Sequence, residues 1–329
     1  MDIPDITLQD VFTAHRRIRP IARRTPLVPS PALTAATDAD IRLKLDFLQD
    51  SGAFKLRGAA NRILALDAKA RQRGVVTFST GNHGLAVALV ASELSIPATV
   101  CVSERVARVS PSRVERLRQM GATVDVGGDS QDAAGERAMA LVQNDGLAMV
   151  PPFDHPDIIA GQGTLALEML EEWPQLDTVL VQVSGGGLAA GVGLTLKRVN
   201  PDIRVVGLSS ASAPVMRESV RAGRPVELPE RDSIAESLLG GIGNDNRYTL
   251  PLVARYVDDI LLLDDPEIER AMAFLLRTHR MAVEGAAAVG VAALLEQRVD
   301  ARGQRTALIL SGNNVELSQV LAAVEHYPE

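Results

Sequence analysis

Short β-rich runs alternate with stretches of helical periodicity through most of this 329-residue chain, and that alternation leaves few folds open. The β-rich runs fall at 75–78, 98–103, 123–126, 148–150, 178–183, 204–208, 259–263 and 306–310. Helical periodicity fills 84–94, 110–120, 132–144, 158–172, 188–199, 266–278 and 286–298. Strands separated by a helix's worth of chain pair in parallel, so the pattern predicts an α/β fold with a mainly parallel sheet. Ser110-Pro111 and Asp265-Pro266 read as helix starts, and Met120-Gly121 and Asn144-Asp145-Gly146 as helix stops. The stretch 222–248 is the least periodic and reads as one long connection, a kind of segment that often carries function. Neither an internal repeat nor a low-complexity segment is present.

Composition narrows the function. The net charge of -7, without a basic tract, argues against nucleic acid and against a polybasic membrane anchor. The amino terminus lacks the pattern of a signal peptide, and no apolar run is long enough for a membrane span, so a cytoplasmic protein is expected. Cys101 is the only cysteine, which rules out an intrachain disulfide and a multi-cysteine zinc site; it reads as an inert core thiol. Lysine occurs only at 44, 55, 69 and 197, with arginine carrying the remaining positive charge. Either residue supplies charge, but only lysine supplies a deprotonatable amine, so a lysine in a glycine-rich apolar setting stands out.

Four motifs carry chemistry. In Ser51-Gly52-Ala53-Phe54-Lys55-Leu56-Arg57-Gly58-Ala59, Lys55 lies between two apolar side chains. Desolvation would lower its pKa and suit it to Schiff-base formation, although alone the motif reads as well as a surface lysine at a helix start. Ser79-Thr80-Gly81-Asn82-His83-Gly84 follows the 75–78 strand as a strand-to-helix turn, whose free amides suit a carboxylate. A plain N-cap by Ser79 or Asn82 is the alternative, and His83 is either a general base or a helix-start histidine. Ser184-Gly185-Gly186-Gly187-Leu188 follows the 178–183 strand, where glycines let backbone approach a phosphate at a helix N-terminus. Gly185, Gly187 and Ala190 also fit a dinucleotide fingerprint, but the next strand ends in Ser209-Ser210 without the acid that such a site needs. A Walker A loop is excluded, because no Lys-Ser/Thr pair follows the glycines. In Ser311-Gly312-Asn313-Asn314 an apolar strand ends in polar residues at its carboxyl edge, where open α/β sheets bind ligands; a turn capped by Asn314 is the plainer reading.

One activated lysine, one phosphate cradle, one carboxylate loop and one neutral hydroxyl are the parts that pyridoxal phosphate requires. On these motifs the chain resembles the fold-type II pyridoxal-phosphate enzymes, in the threonine dehydratase and serine racemase branch, over nearly its whole length. The resemblance implies a tryptophan synthase β-like fold of two open, twisted, mostly parallel sheets flanked by helices. It implies a large cofactor-binding domain from 1–70 and 150–329, and a smaller domain, 71–149, closing over the substrate. Lys55 would be the Schiff-base lysine and base, preceded by Phe54; Ser184, Gly185, Gly186, Gly187 and Leu188 would hold the phosphate. Asn82 would contact the cofactor's 3'-oxygen, Glu284 would lie near its ring, and Ser311 would face its pyridine nitrogen. Ser79, Thr80, Gly81, Asn82 and His83 would cradle the substrate carboxylate, with His155, in Pro152-Phe153-Asp154-His155-Pro156, beside them. The stretch 159–164, Ile-Ala-Gly-Gln-Gly-Thr, also resembles this branch. Cysteine synthases of the same fold carry a different lysine motif, so β-replacement is disfavoured.

The departures bear on specificity. Ala53 stands where many relatives have serine, His155 where dehydratases often have aspartate, and Asn313 where they have glycine. Glu236 replaces an aspartate near a divalent-cation site of some relatives, so no metal is assigned. Thr80 lies where racemases place a serine hydroxyl, which keeps amino-acid racemisation as a second reading; a non-catalytic ligand-binding regulator is the third. The stretch 240–248 is similar to dehydratases linked to hydroxyectoine utilisation. Only 15 residues follow Asn314, so the C-terminal regulatory domain of biosynthetic threonine dehydratases is not expected. The expected activity is elimination of water and ammonia from a small 3-hydroxy amino acid by a homodimer.

Overall fold

The computed structural model describes residues 6–79, 81–229 and 231–328. Its strands, in chain order, are β1 (Leu27–Pro29), β2 (Asp40–Lys44), β3 (Val75–Phe78), β4 (Ala98–Val102), β5 (Thr123–Val126), β6 (Ala148–Met149), β7 (Thr178–Gln182), β8 (Arg204–Ser210), β9 (Asp259–Leu263) and β10 (Arg305–Ile309). They form two sheets. The six-stranded sheet runs β1-β2-β10-β7-β8-β9, and the four-stranded sheet runs β5-β4-β3-β6. Every pairing is parallel except β1 against β2. The α/β expectation therefore holds, with two sheets.

The central strand β7, Thr-Val-Leu-Val-Gln, is buried at every position, as a parallel strand covered by helices on both faces must be. Its alternate side chains enter two separate cores: Val179 and Val181 face the helices Pro156–Glu172 and Gly187–Val199, while Leu180 faces the side of helix Gly285–Leu295. The four-stranded sheet has its own core, built around Val75, Val100 and helix Asn82–Glu93.

The helix boundaries follow the capping chemistry, with one shift. Ser110 is the N-cap of Pro111–Gln119, with proline in the first turn, and Gly146 ends Gln131–Asp145 in the left-handed region. For the helix expected at Asp265-Pro266 the cap is Asp264, one residue earlier, which forms a reciprocal capping box with Glu267. That helix relaxes into a π turn at Leu275–His279. The long connection at 222–248 holds only a short 3-10 turn, Glu236–Leu238, among its described residues.

Three helices on one face touch backbone to backbone. A Cβ at Gly161 would lie 2.7 Å from the Arg57 carbonyl oxygen, and one at Gly191 would lie 2.3 Å from that of Ile159. Only glycine permits this approach, and it draws helices Lys55–Ala65, Pro156–Glu172 and Gly187–Val199 together. Beneath them lies a buried ion network. The Arg57 guanidinium donates to Asp46 (2.7 Å) and Glu168 (2.6 Å), and Lys44 Nζ donates to Glu168 at 2.6 Å. All four side chains are almost wholly buried. Burial would push the Asp46 carboxyl up, but the Arg57 guanidinium outweighs it and holds that carboxyl below the usual range.

Replacing Arg57 with alanine leaves Asp46 and Glu168 short of their common partner inside the protein. The expected loss is about 3–5 kcal/mol, read as a lower denaturant midpoint with unchanged slope. An unchanged midpoint would mean that the network contributes nothing to stability.

Candidate active site

The carboxyl ends of β7 and β10 are neighbours in the six-stranded sheet, and the loops that leave them carry Ser184–Leu188 and Ser311–Asn314. The carboxyl end of β3 leads to Ser79 and on to the helix Asn82–Glu93. Lys55 opens the helix Lys55–Ala65. The segment before it is stitched to the end of β10. Phe54 N–H donates to Ser311 O at 2.9 Å, and Ala53 bridges Gly312. Lys55 Nζ lies 2.6 Å from the Pro152 carbonyl oxygen and 5.4 Å from the Phe54 ring centroid. Burial drives its pKa down to about 8, against the pull of Glu284. The surface-lysine reading of this motif fails, because the amine is desolvated and directed inward.

Asn82 does not cap its helix. Gly81 is the N-cap, without a side-chain hydrogen bond, and Asn82 Nδ2 instead donates to both Glu284 oxygens at 2.9 and 3.0 Å. Glu284 precedes helix Gly285–Leu295, and its own N–H donates to Gly312 O at 3.2 Å. Burial pushes the Glu284 carboxyl up, and the bonds from Asn82 and Ser237 draw it back. A Cβ at Gly312 would lie 2.6 Å from Glu284 Oε1 and 3.2 Å from Asn82 Nδ2, so a glycine is required there. Ser311 is buried beside them. The structure thus brings Lys55, Asn82, Glu284 and Ser311, residues far apart in sequence, around one point. Asn314 is likewise not a plain cap: its amide reaches Ser51 O and Asn82 Oδ1.

The glycine loop opens the helix Gly187–Val199, whose N-cap is Gly186 at φ +86°, with no capping side chain. The first amides of that helix therefore have no side-chain partner of the chain's own, the arrangement that binds phosphate. A Cβ at Gly185 would lie 2.3 Å from the Phe153 ring, so the loop rests directly on that side chain. The neighbouring Asp154 accepts the backbone N–H groups of Arg247, Tyr248 and Thr249 at 2.7–2.9 Å and so ties the end of the long connection to the loop. No local pattern signals this role of Asp154, because its partners lie more than 90 residues away in the chain.

The remaining expected residues divide. His83 is buried, with Nε2 2.9 Å from Val150 O. A carbonyl only accepts, so Nε2 carries the hydrogen. Burial and the nearby Lys55 push the pKa of this ring to about 3, so it is neutral, a weak base, and holds the helix start to the end of β6. The Ser79 loop turns so tightly that a Cβ at Gly84 would lie 1.8 Å from Ser79 O. Thr80, named as a catalytic candidate, lies outside the described residues. His155 is the N-cap of helix Pro156–Glu172, where its Nδ1 accepts from the Asp157 N–H at 3.1 Å. Among the described residues no group of three or more His, Cys, Asp or Glu side chains could hold a metal ion; Glu236 pairs with Arg113. Cys101 is buried and its pKa is pushed up by burial to about 11, as an inert core thiol requires. No described helix is long and apolar enough to cross a membrane. A cavity of about 160 Å³ lined by His15, Arg19, Arg24, Arg57 and Glu168 does not include Lys55, and its Arg57 floor is already fully hydrogen-bonded.

Comparison with known proteins agrees with this geometry. A family model described as pyridoxal-phosphate dependent enzyme matches residues 18–312. The chain is 38% identical over 316 residues to an L-threonine ammonia-lyase of Thermotoga maritima, covering 96% of this chain and 77% of that one. It is 34% identical to an L-threo-3-hydroxyaspartate ammonia-lyase of a Pseudomonas species, covering 94% and 96% of the two chains. The solved structure of maize serine racemase superposes with a TM-score of 0.90 at 33% identity, covering 99% of this chain and all of that one.

Substituting Gly185→Ala drives a methyl group into the Phe153 ring. Overpacking of this kind costs about 1–3 kcal/mol, so thermal unfolding should shift downward. Adding Phe153→Leu should recover most of that loss; no recovery would mean that the ring is not what excludes a side chain there.

Proposed function

Because the chain belongs to the family of pyridoxal-phosphate-dependent enzymes, we propose that it eliminates water and ammonia from a small 3-hydroxy amino acid to give a 2-oxo acid. The observation that carries this reading is the Lys55 amine, desolvated, drawn down to a pKa of about 8 and held against Pro152 O, with an uncapped helix start at 185–188 in the neighbouring loop. The residues present fit the cofactor. The amides of Gly185, Gly186, Gly187 and Leu188 would hold its phosphate, Phe54 and Lys55 would adjoin it, Asn82 and Glu284 would lie at its ring, and Ser311 at its pyridine nitrogen.

When bound, the cofactor supplies an electron-withdrawing ring that weakens the bonds to the substrate's α-carbon. The chain's own residues do the rest. The uncapped helix start at Gly81–His83, with Ser79 and Thr80 before it, holds the substrate carboxylate. Lys55 Nζ, its pKa drawn down to about 8 by burial so that a useful fraction is neutral near pH 7, takes the α-proton. Ser311 carries no charge, so it cannot hold a proton on the ring nitrogen as a carboxylate would. An uncharged group at that position would give the bound ring little help in holding negative charge, which would favour prompt loss of the β-hydroxyl, leaving as water with the proton that Lys55 had taken. The neutral His83 ring fixes the loop. The segment 71–149, which carries this loop, would close over the substrate and exclude water, while 1–70 and 150–329 would supply Lys55 and the phosphate loop.

The substrate class takes in threonine, serine, 3-hydroxyaspartate and amino acids derived from hydroxyectoine. Racemisation on the same cofactor is the second reading, supported by the likeness to serine racemases.

Release of 2-oxo acid by the cofactor-loaded protein, measured across L-threonine, L- and D-serine and L-threo-3-hydroxyaspartate, tests the proposal. Turnover of one or more is expected, and Lys55→Ala should abolish it. Inversion of serine without 2-oxo acid would replace the lyase reading by the racemase. A separate check uses the lysine alone. An amine attacks only when neutral, so the rate at which cofactor-free protein captures pyridoxal phosphate should rise with pH and level off above about 8. A rise continuing to the ordinary lysine range near 10.4 would mean that burial does not lower this amine.

A further inference from the structure

Asn82 is held at both ends of its amide. Nδ2 donates to Glu284 and, at 3.3 Å, to Ser237 Oγ, while Oδ1 accepts from Asn314 Nδ2 at 2.6 Å. The two ends of an amide have nearly the same shape, so only partners that tell donor from acceptor keep it one way round. Asn314 is itself an amide and needs the same discipline. Its Nδ2 donates to Ser51 O at 2.9 Å, and its Oδ1 accepts from Arg116 at 2.8 Å. A guanidinium can only donate, so the sense of the whole chain of bonds is fixed from its Arg116 end. Gly52, at φ +77°, makes the room: a Cβ there would lie 2.7 Å from Asn314 Oδ1.

Arg116 reaches this chain from helix Pro111–Gln119, which follows the four-stranded sheet's β4, whereas Asn314 follows β10 of the other sheet. From the same helix Arg113 pairs with Glu236 at 2.6 Å, next to Ser237, the further partner of the Asn82 amide. Two arginines on one helix thus bear on a single buried amide from two directions.

We propose that Arg116 is a positioning residue that, through Asn314, sets the orientation of the Asn82 amide toward the bound cofactor. The inference rests on the reading above in taking Asn82 to face the cofactor. It goes further in making an exposed arginine of the four-stranded half responsible for that contact. The seating of helix Pro111–Gln119 then becomes part of cofactor recognition.

The test compares wild type with Arg116→Ala, Arg116→Lys and Arg118→Ala, titrating pyridoxal phosphate into cofactor-free protein and following its visible absorption. Arg118 sits on the same helix, its guanidinium near Glu115, and is the control for the helix itself. For Arg116→Ala we expect cofactor binding weakened, with a dissociation constant about fivefold larger and a displaced absorption maximum, since a charge-assisted bond is lost. Arg116→Lys, which keeps a cationic donor, should recover part of both, and Arg118→Ala should match wild type. Equal thermal unfolding of the two alanine variants is expected alongside. If Arg116→Ala matches Arg118→Ala in dissociation constant and absorption, the positioning role is wrong while the function reading stands. If wild type takes up no cofactor, the function reading falls first and the inference with it.

Discussion

The site depends on a buried arginine that takes no part in its chemistry. Arg57 stands two residues after Lys55 on the same helix, and its guanidinium is clamped between Asp46, just past β2, and Glu168, on helix Pro156–Glu172. A planar, permanently charged fork satisfied by two carboxylates has one orientation, so the first turn of helix Lys55–Ala65 has one orientation too. Lys44 neutralises the second charge of the cluster from the sheet side. The lysine's direction toward Pro152 is thus inherited from electrostatics at the base of its helix. The glycine contacts at Gly161 and Gly191 set the depth at which these helices lie.

Much of this was legible in the sequence, and the failures have physical causes. Strands β3 to β10 were read nearly to the residue, because short runs rich in β-branched residues, set between stretches of helical period, favour strands by their length and composition. Strands β1 and β2 were missed. β2 reads Asp-Ile-Arg-Leu-Lys, whose charges suggest a solvated segment, yet Lys44 is buried because Glu168, 124 residues later, accepts its charge. Helix Leu8–Ile18 was also missed, although Thr7 and Asp10 form a capping box at its start.

The site divides in the same way. Local motifs named the glycine loop, the lysine and the strand-end serine, since each is a run of backbone chemistry visible within a few residues. What the sequence could not give was partnership across long separations: Asn82 with Glu284, Asp154 with the amides of 247–249, and Arg116 with Asn314. His155 illustrates the converse. Besides the substrate contact that the resemblance implies, it caps a helix, a local role that the Pro156 following it already signals.

The two ends of the four-stranded sheet's segment lie side by side. Val75 pairs with Ala148, and Ala148 N–H donates to Gly74 O. A stretch of chain that leaves and rejoins its host at one doorway can be lengthened, shortened or exchanged without rethreading the strands around it. The loop proposed to meet the substrate is on this piece, while the lysine and the glycine loop are on the host. Descent can therefore re-equip such a protein by grafting one contiguous stretch, leaving the lysine and the glycine loop as inherited.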